Sequence, residues 1–289
     1  MSDASQEIPN EAQIAYWSSE PSLSWVHYQP VLDRAFEPLT HHLINLAALQ
    51  SGEHILDVGC GAGALSRRAA GLVGDEGHVT GLDVSPPLLA HARDLAKAAG
   101  FKTVDFIEAD GQTHDFGGVT FDAAISRFGV MFFEDPARAF SNIRSALKPG
   151  GRIAFTAWSS LEDNPLFSLP RRIAIERLGA PEPADPRAPG PLAFADLSYS
   201  IPLFEEAGFV EITAEPFQTS LTYARPVRDV AALLTQLGPA KRILREKDGT
   251  AEDEAAIAAA IETELAPYVT QGGVHVPAVP LAITARNPS

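Results

Sequence analysis

A chain of 289 residues with 45% hydrophobic side chains can bury a large core without covalent staples, which excludes disorder as its main state. The 37 acidic residues outweigh 22 basic ones to leave a net charge of −15, and a field of that sign repels nucleic-acid phosphates, so no nucleic-acid partner is expected. A single cysteine, Cys60, excludes an internal disulfide and a zinc thiolate cluster.

The chain starts polar and acidic (MSDASQE) where a signal peptide is basic and then apolar, and no run approaches the roughly 18 to 20 apolar residues of a membrane span. A reducing, cytoplasmic setting with no membrane span is expected. From residue 54, short β-type runs alternate with helical ones, the pattern of a parallel sheet covered by helices. The predicted strands are His54–Val58, His78–Val84, Val104–Asp110, Phe121–Phe128 and Arg152–Trp158, all apolar enough for burial on both faces. Ser85-Pro86 and Asp135-Pro136 each pair an N-cap with a proline at the first helical position. The second of these helices carries Ala139, Phe140, Ile143 and Leu147 on one face, and Lys148-Pro149-Gly150-Gly151 is read as a flexible turn into the fifth strand. Residues 181–191 hold five prolines and read as a stiff irregular connection. Beyond it come a helix (Asp196–Ala207), a strand (Phe209–Phe217), a mostly helical stretch from Val227 to about Tyr268, and one final strand near Val276–Arg286.

The richest segment is Ile55-Leu-Asp-Val-Gly-Cys-Gly-Ala-Gly-Ala-Leu-Ser66, a strand entering a glycine turn that opens a helix. Glycines at 59, 61 and 63 permit a sharp backbone and close approach of a ligand, while the helix start aims free N–H groups at it. Gly59, Gly61 and Ala64 also fit the permissive dinucleotide fingerprint, with Asp83 near the expected ribose-binding offset. Asp57 separates the two readings: a carboxylate just before the turn repels a pyrophosphate and suits a cation. S-adenosylmethionine carries a sulfonium and an ammonium and no phosphate. Asp57 would then serve its methionine end, Asp83 its ribose hydroxyls and Asp110 its adenine amino group.

With these residues in place, the sequence resembles the class I S-adenosylmethionine-dependent methyltransferases. The resemblance rests on Leu56–Gly63, Gly81–Val84, Glu108–Asp110, Phe121–Phe128 and Leu147–Ile153, five motifs in the family's order. Ser126-Arg-Phe-Gly-Val-Met-Phe-Phe133 resembles the branch around ubiquinone and menaquinone biosynthesis methyltransferases, which act on small molecules. The resemblance implies a Rossmann-like α/β fold whose seven-stranded, mostly parallel sheet ends in an antiparallel strand, with a mainly helical lid. It implies an N-terminal helical lid segment (1–45), an S-adenosylmethionine-binding core (46–158), an insertion or cap (159–195), further core elements (196–217 and 273–289) and a helical cap insertion (218–272). It implies cofactor contacts from Asp57, Gly59, Cys60, Gly61, Gly63, Asp83, Val84, Asp110, Gly111, Ser126 and Arg127.

For the acceptor, Phe128, Met131 and Trp158 follow the fourth and fifth strands, where they read as an apolar wall or as core. Trp17, Trp25 and Tyr28 read equally as an aromatic helix face or as ligand contacts. Cys60 has no base placed beside it, so smallness rather than nucleophilicity explains it, and His114 reads as a solvated loop residue. No residue stands out as a catalytic base, and no set of ligands suggests a metal: the fourth strand exits into a cation and aromatics, and the adjacent His41 and His42 point about 100° apart on a helix. The expected reaction is in-line transfer of a methyl group to O, N or C of a small-molecule acceptor. The rivals are a protein that binds S-adenosylmethionine without transferring its methyl group and, on the glycine spacing alone, an NAD-dependent oxidoreductase. The sequence leaves the acceptor and the oligomeric state open.

Overall fold

The computed structural model describes residues 9–289, so the first eight residues of the expected N-terminal segment lie outside it. Three helices come first: α1 (Glu11–Trp17), α2 (Glu20–Ala35) and α3 (Glu37–Ala47). The alternating region follows as β1 (His54–Val58), α4 (Ala64–Val73), β2 (His78–Asp83), α5 (Pro86–Ala98), β3 (Val104–Glu108), β4 (Phe121–Arg127), α6 (Pro136–Ser145) and β5 (Leu147–Trp158). After α7 (Pro165–Leu178) and α8 (Leu197–Glu206) come β6 (Val210–Pro216) and β7 (Thr219–Tyr223). Helices α9 (Val227–Gln236), α10 (Pro239–Glu246) and α11 (Ala251–Leu265) precede β8 (Val269–Thr270), β9 (Gly273–Ala278) and β10 (Pro280–Arg286).

Seven strands form one sheet in the order β3-β2-β1-β4-β5-β10-β6, with β10 antiparallel to both neighbours and the other six parallel. Side chains alternate across each strand, so the two faces bury different sets. Ile55 of β1, Val79 of β2 and Ile125 of β4 meet Leu43, Leu65 and Leu89 from α3, α4 and α5. Leu56, Leu82 and Phe155 point the other way, into a cluster with Phe140 of α6 and Phe204 of α8. The helices start where their capping residues stand: Ser85 Oγ accepts the Leu88 N–H at 3.4 Å, Asp135 that of Arg138 at 3.0 Å and Asp196 that of Ser198 at 2.9 Å.

Four features differ from the sequence reading. Strand β3 is the sheet edge, and its alternate residues Asp105 and Ile107 are exposed, so it is not buried on both faces. Lys148–Gly151 is not a turn before the fifth strand but a bulge within it: Phe121 pairs with Leu147, Ala123 pairs with Arg152, and the residues between loop out. Leu147 therefore belongs to β5 and not to the face of α6, which ends at Ser145. The single final strand is two strands in two sheets. Val274, Val276 and Ala278 are the buried positions of β9, on one face only, whereas β10 is buried without a break from Pro280 to Ile283, so the burial pattern switches at Val279 from one-faced to two-faced.

That switch carries the chain between the main sheet and a cap. The cap is not purely helical: α7, α9, α10 and α11 pack around a three-stranded sheet, β7-β9-β8, whose buried face offers Leu221, Tyr223, Val274 and Val276. Asn164, fully buried, locks the junction by donating to the Ser160 carbonyl at 2.8 Å and to Ser159 Oγ at 3.1 Å while accepting the Val279 N–H at 3.0 Å. Among the described residues no helix is long and apolar enough to cross a membrane.

Candidate functional site

Strand alternation selects the side chains of the site. Asp57 is in phase with Ile55, Asp83 with Val79 and Arg127 with Ile125, so all three project on the face covered by α3, α4 and α5, at the carboxyl ends of β1, β2 and β4. Between them the turn of residues 59–63 is pinned to β2, with the Gly59 and Cys60 N–H groups donating to the Leu82 carbonyl at 2.8 and 3.0 Å. Gly63, at φ +72, starts α4 against Phe106, whose ring atom a Cβ would meet at 2.7 Å. Gly61, at φ +53, faces open space within 4 Å. Gly59, at φ +66, is pressed against Gly129 after β4, whose Cα a Cβ on Gly59 would meet at 2.6 Å.

The three acids differ in how far the protein satisfies them. Asp57 is buried; its Oδ2 accepts the Ser66 hydroxyl at 2.5 Å, while its Oδ1 has no partner among the described residues. Burial pushes its carboxyl up to about 7, opposed by the Ser66 hydrogen bond and by the charge of Arg127. Asp83 ends β2 and accepts the Gly61 N–H at 2.7 Å and the Ser85 N–H at 2.9 Å, so it braces the turn; burial raises its carboxyl against these bonds. Each oxygen keeps a lone pair for another donor. Asp110 lies two residues beyond β3, accepts the Gln112 N–H at 3.0 Å and the Asn10 side-chain amide at 3.3 Å, and is raised by burial.

Cys60 is buried in the turn, and burial together with the charges of Asp83 and Asp57 raises its thiol far from nucleophilic use. Val84 is half-buried after Asp83, and Gly111 is buried beneath Phe133, with its carbonyl held by Asn142 at 3.0 Å. Ser126 points to the opposite face from Arg127. Its hydroxyl donates to the Val58 carbonyl at 2.6 Å and accepts the Gly129 N–H at 3.2 Å, tying β4 to the turn. Arg127 donates to Thr40 Oγ1 at 2.7 Å, pairs with Asp33 at 3.4 Å and lies over the Phe36 ring.

Beyond Arg127 the chain is strained: Phe128 has φ +70, a left-handed conformation that bulky residues avoid. Its ring stacks on Trp158 at 4.3 Å and 7° and meets Phe36 edge-on. Met131 and Trp158 are core residues, 1% and 3% exposed, and the Trp158 N–H donates to Met131 Sδ at 3.4 Å. Trp17 packs edge-on against Phe132, in the turn after β4, at 5.3 Å and against Trp25 at 6.0 Å. Tyr28 is half-buried on the core, and His114 lies edge-on to Phe116.

The residues that the sequence reading misses belong to the N-terminal segment. Asn10 exchanges hydrogen bonds with Glu134, at 2.7 Å from its own N–H and 3.2 Å to its Oδ1, as well as meeting Asp110. Asp33 joins Arg67 of α4, at 3.5 Å, to Arg127. Asn10, at φ +61 just before α1, has a helix-boundary signal in the sequence; the Asp33 pairings have none. Beside the turn a cavity of about 360 Å³ is lined by Asp33, Thr40, Ala64, Arg67 and Arg127. Among the described residues no three His, Cys, Asp or Glu side chains gather as a metal site.

Residues 55–151 match the family described as a methyltransferase domain. Over 122 residues the chain is 34% identical to an aklanonic acid methyltransferase of Streptomyces sp. (strain C5), a match covering 42% of this chain and 56% of that protein. It is also 34% identical over 122 residues to a ubiquinone/menaquinone biosynthesis C-methyltransferase of Teredinibacter turnerae, covering 42% of this chain and 49% of the relative. The matched segment thus spans about half the length of these curated relatives. The fold is shared with phosphoethanolamine N-methyltransferase 2 of Haemonchus contortus in complex with S-adenosyl-L-methionine, at TM-score 0.59 and 16% identity, covering 98% of this chain and 61% of that one.

Proposed function

We propose, on the premise that residues 55–151 are a class I methyltransferase domain, that the protein is an S-adenosylmethionine-dependent methyltransferase acting on a small-molecule acceptor in the cytoplasm. The observation that carries this reading is the buried, unpartnered Oδ1 of Asp57 beside an open glycine turn. An unpaired buried acceptor is costly, and a cationic ligand is the partner that removes the cost. The ammonium of S-adenosylmethionine is such a partner, and the cofactor when bound supplies an electrophilic methyl group on a sulfonium.

The chain's own residues then bind and orient. Asp83 offers the spare lone pairs of a carboxylate to ribose hydroxyls while its existing bonds hold the turn in shape. Asp110 accepts from the adenine amino group once Asn10 has withdrawn. Phe128, backed by Trp158 and Phe36, presents an aromatic surface at the exit of β4 that keeps water from the reacting centre. Alignment of acceptor and methyl group in a fixed site supplies up to about 7–11 kcal/mol in well-oriented systems, and no charged catalytic group is required of the protein for that part. Native mass spectrometry of the protein as purified tests the reading: a retained mass equal to S-adenosylmethionine or S-adenosylhomocysteine is expected, followed by transfer of a labelled methyl group to an acceptor. Retention without release of S-adenosylhomocysteine across an acceptor panel would favour a non-transferring binder, and binding of NADH in its place would overturn the proposal.

A further inference from the structure

Two guanidinium groups beside the glycine turn share one carboxylate. Arg67 Nη2 lies 3.5 Å from Asp33 Oδ2, and Arg127 Nη2 lies 3.4 Å from Asp33 Oδ1. Arg67 and Arg127 are held from behind, by the Ala62 carbonyl at 2.6 Å and by Thr40 Oγ1 at 2.7 Å, so both forks keep their positions whether Asp33 is present or not. The pairing is loose. Well-made guanidinium–carboxylate bonds are about 2.7–2.9 Å and often bidentate. Asp33 also accepts from the Gln29 side chain, and it belongs to α2, an element outside the sheet. Two cations against one anion leave the group with a net positive charge inside a chain of −15, and Arg68 and Glu37, which face the same cavity, cancel each other.

The location matters as much as the charge. Arg127 is two residues beyond Ile125, the lateral partner of Asp57, and on the same face, so their Cα atoms are roughly 8 Å apart by strand geometry. The charge of Arg127 is felt at Asp57. An unpartnered carboxylate oxygen and an over-supplied guanidinium pair at that spacing are complementary to an ammonium and a carboxylate on one carbon, the head of an α-amino acid. At its other end the same N-terminal segment meets Asp110 with an amide N–H from Asn10, the type of donor that an aromatic amine presents.

We propose that Asp33 is an internal stand-in for a ligand carboxylate: it occupies a subsite formed by Arg67 and Arg127, and the α-carboxylate of the bound cofactor takes that subsite from it, releasing the α2 end of the N-terminal segment. The inference rests on the cofactor reading above and assigns a cost to binding that the reading alone does not contain. Asp33→Asn keeps the shape and the hydrogen bond from Gln29 but removes the competing charge.

The test compares S-adenosylmethionine with decarboxylated S-adenosylmethionine, which retains the sulfonium and ammonium and lacks the carboxylate, by titration calorimetry on the full chain. Asp33→Asn is expected to tighten S-adenosylmethionine about tenfold and not to tighten the decarboxylated compound; Arg67→Gln is expected to weaken S-adenosylmethionine about tenfold and to leave the other unchanged. Hydrogen exchange of the ligand-free Asp33→Asn protein should show faster exchange in α2 than in wild type. Equal weakening of both ligands by Asp33→Asn would reduce Asp33 to a structural prop and overturn the proposal, as would an unchanged affinity for S-adenosylmethionine. Wild-type protein that binds neither ligand would instead overturn the cofactor reading, and this inference with it.

Discussion

Replacing Gly129 by alanine tests the close approach on which the site depends. A Cβ there would lie 2.5 Å from the Val58 carbonyl oxygen, 2.7 Å from Gly59 Cα and 3.0 Å from the Gly59 carbonyl oxygen. All three are backbone atoms at the exit of β1, so no side chain can rotate away and β4 must shift from the turn. Overpacking of this kind costs about 1–3 kcal/mol, and contact with backbone on every side places Gly129→Ala near ~2–3 kcal/mol. With an unfolding entropy of about 2.1 cal/mol/K per residue over 289 residues, the midpoint should fall by about 3–5 °C. Gly61→Ala, with nothing within 4 Å but φ +53, carries the conformational cost alone, about 1–2 kcal/mol. Urea titration of both variants supplies the comparison, with S-adenosylhomocysteine titration as the second readout, because a displaced β4 exit carries Arg127 and Phe128 with it. A Gly129→Ala protein within about 0.5 kcal/mol of wild type, binding normally, would show that the two backbones are not locked together and would refute the reasoning.

Four further outcomes are expected. Burial raises the folded pKa of Asp57 to about 7, above the carboxylate range of an unfolded chain, so the folded state takes up the extra proton; the contribution of Asp57 to ligand-free stability is fully present below about pH 4 and is lost as pH rises through about 7. Denaturation at pH 5 and pH 8 should show a loss of stability toward pH 8 in wild type that is smaller in Asp57→Asn, with the remainder carried by the raised carboxyls of Asp83 and Asp110. Asp83→Ala should weaken S-adenosylhomocysteine about 10- to 100-fold by calorimetry, since a charged acceptor is worth about 1.5–3 kcal/mol, and it should also loosen the turn through the lost Gly61 bond. Asn164→Ala strands the Val279 N–H and the Ser160 carbonyl at the cap junction, for about 2–4 kcal/mol by denaturant titration; a loss under 1 kcal/mol would deny the clamp. Turnover, once an acceptor is known, should survive dialysis against EDTA, because the exit of β4 offers a guanidinium and aromatic rings where a hard cation needs oxygens; activity restored by added magnesium would contradict this.

What the sequence discloses about the site is what lies within one strand and its turn. Asp57, Gly59, Gly61, Gly63 and Asp83 lie within one 27-residue stretch of the chain, and the spacing of glycines and acids is enough to find them, although the packing of Gly59 on Gly129 and of Gly63 on Phe106 is not announced there. Asp33 and Arg127 meet across 94 residues, and Asn10 and Asp110 across 100, with no local pattern on either side to announce the pairing. Met131 shows the opposite difficulty: an apolar residue after a buried strand has the same composition whether it lines a cavity or fills the core, and only packing decides. The cap sheet escaped for two reasons. Thr219–Tyr223 offers two buried positions, too few for an alternation to stand out, and the break at Val279 is masked because Val276, Ala278, Pro280, Leu281, Ala282 and Ile283 are all apolar and read as one continuous strand.

Trp158 is paired with Pro280, and Leu281 with Pro216, so three of the passages between sheet and cap leave from one level on the adjacent strands β5, β10 and β6. At about 4.8 Å per strand these points form a row roughly 10 Å long. Chains anchored along a short straight row resist twisting and sliding of the cap over the sheet edge. The same arrangement makes the cap a cassette in the covalent plan: three of its four splice points stand in a line, the fourth being the connection from α7 to α8, and the glycine turn and three acids lie on or just beyond other strands. Lengthening or exchanging a cap helix therefore leaves the strands that carry the turn covalently untouched, and a lineage could remodel what the cap encloses while the opposite half of the sheet stays as it is.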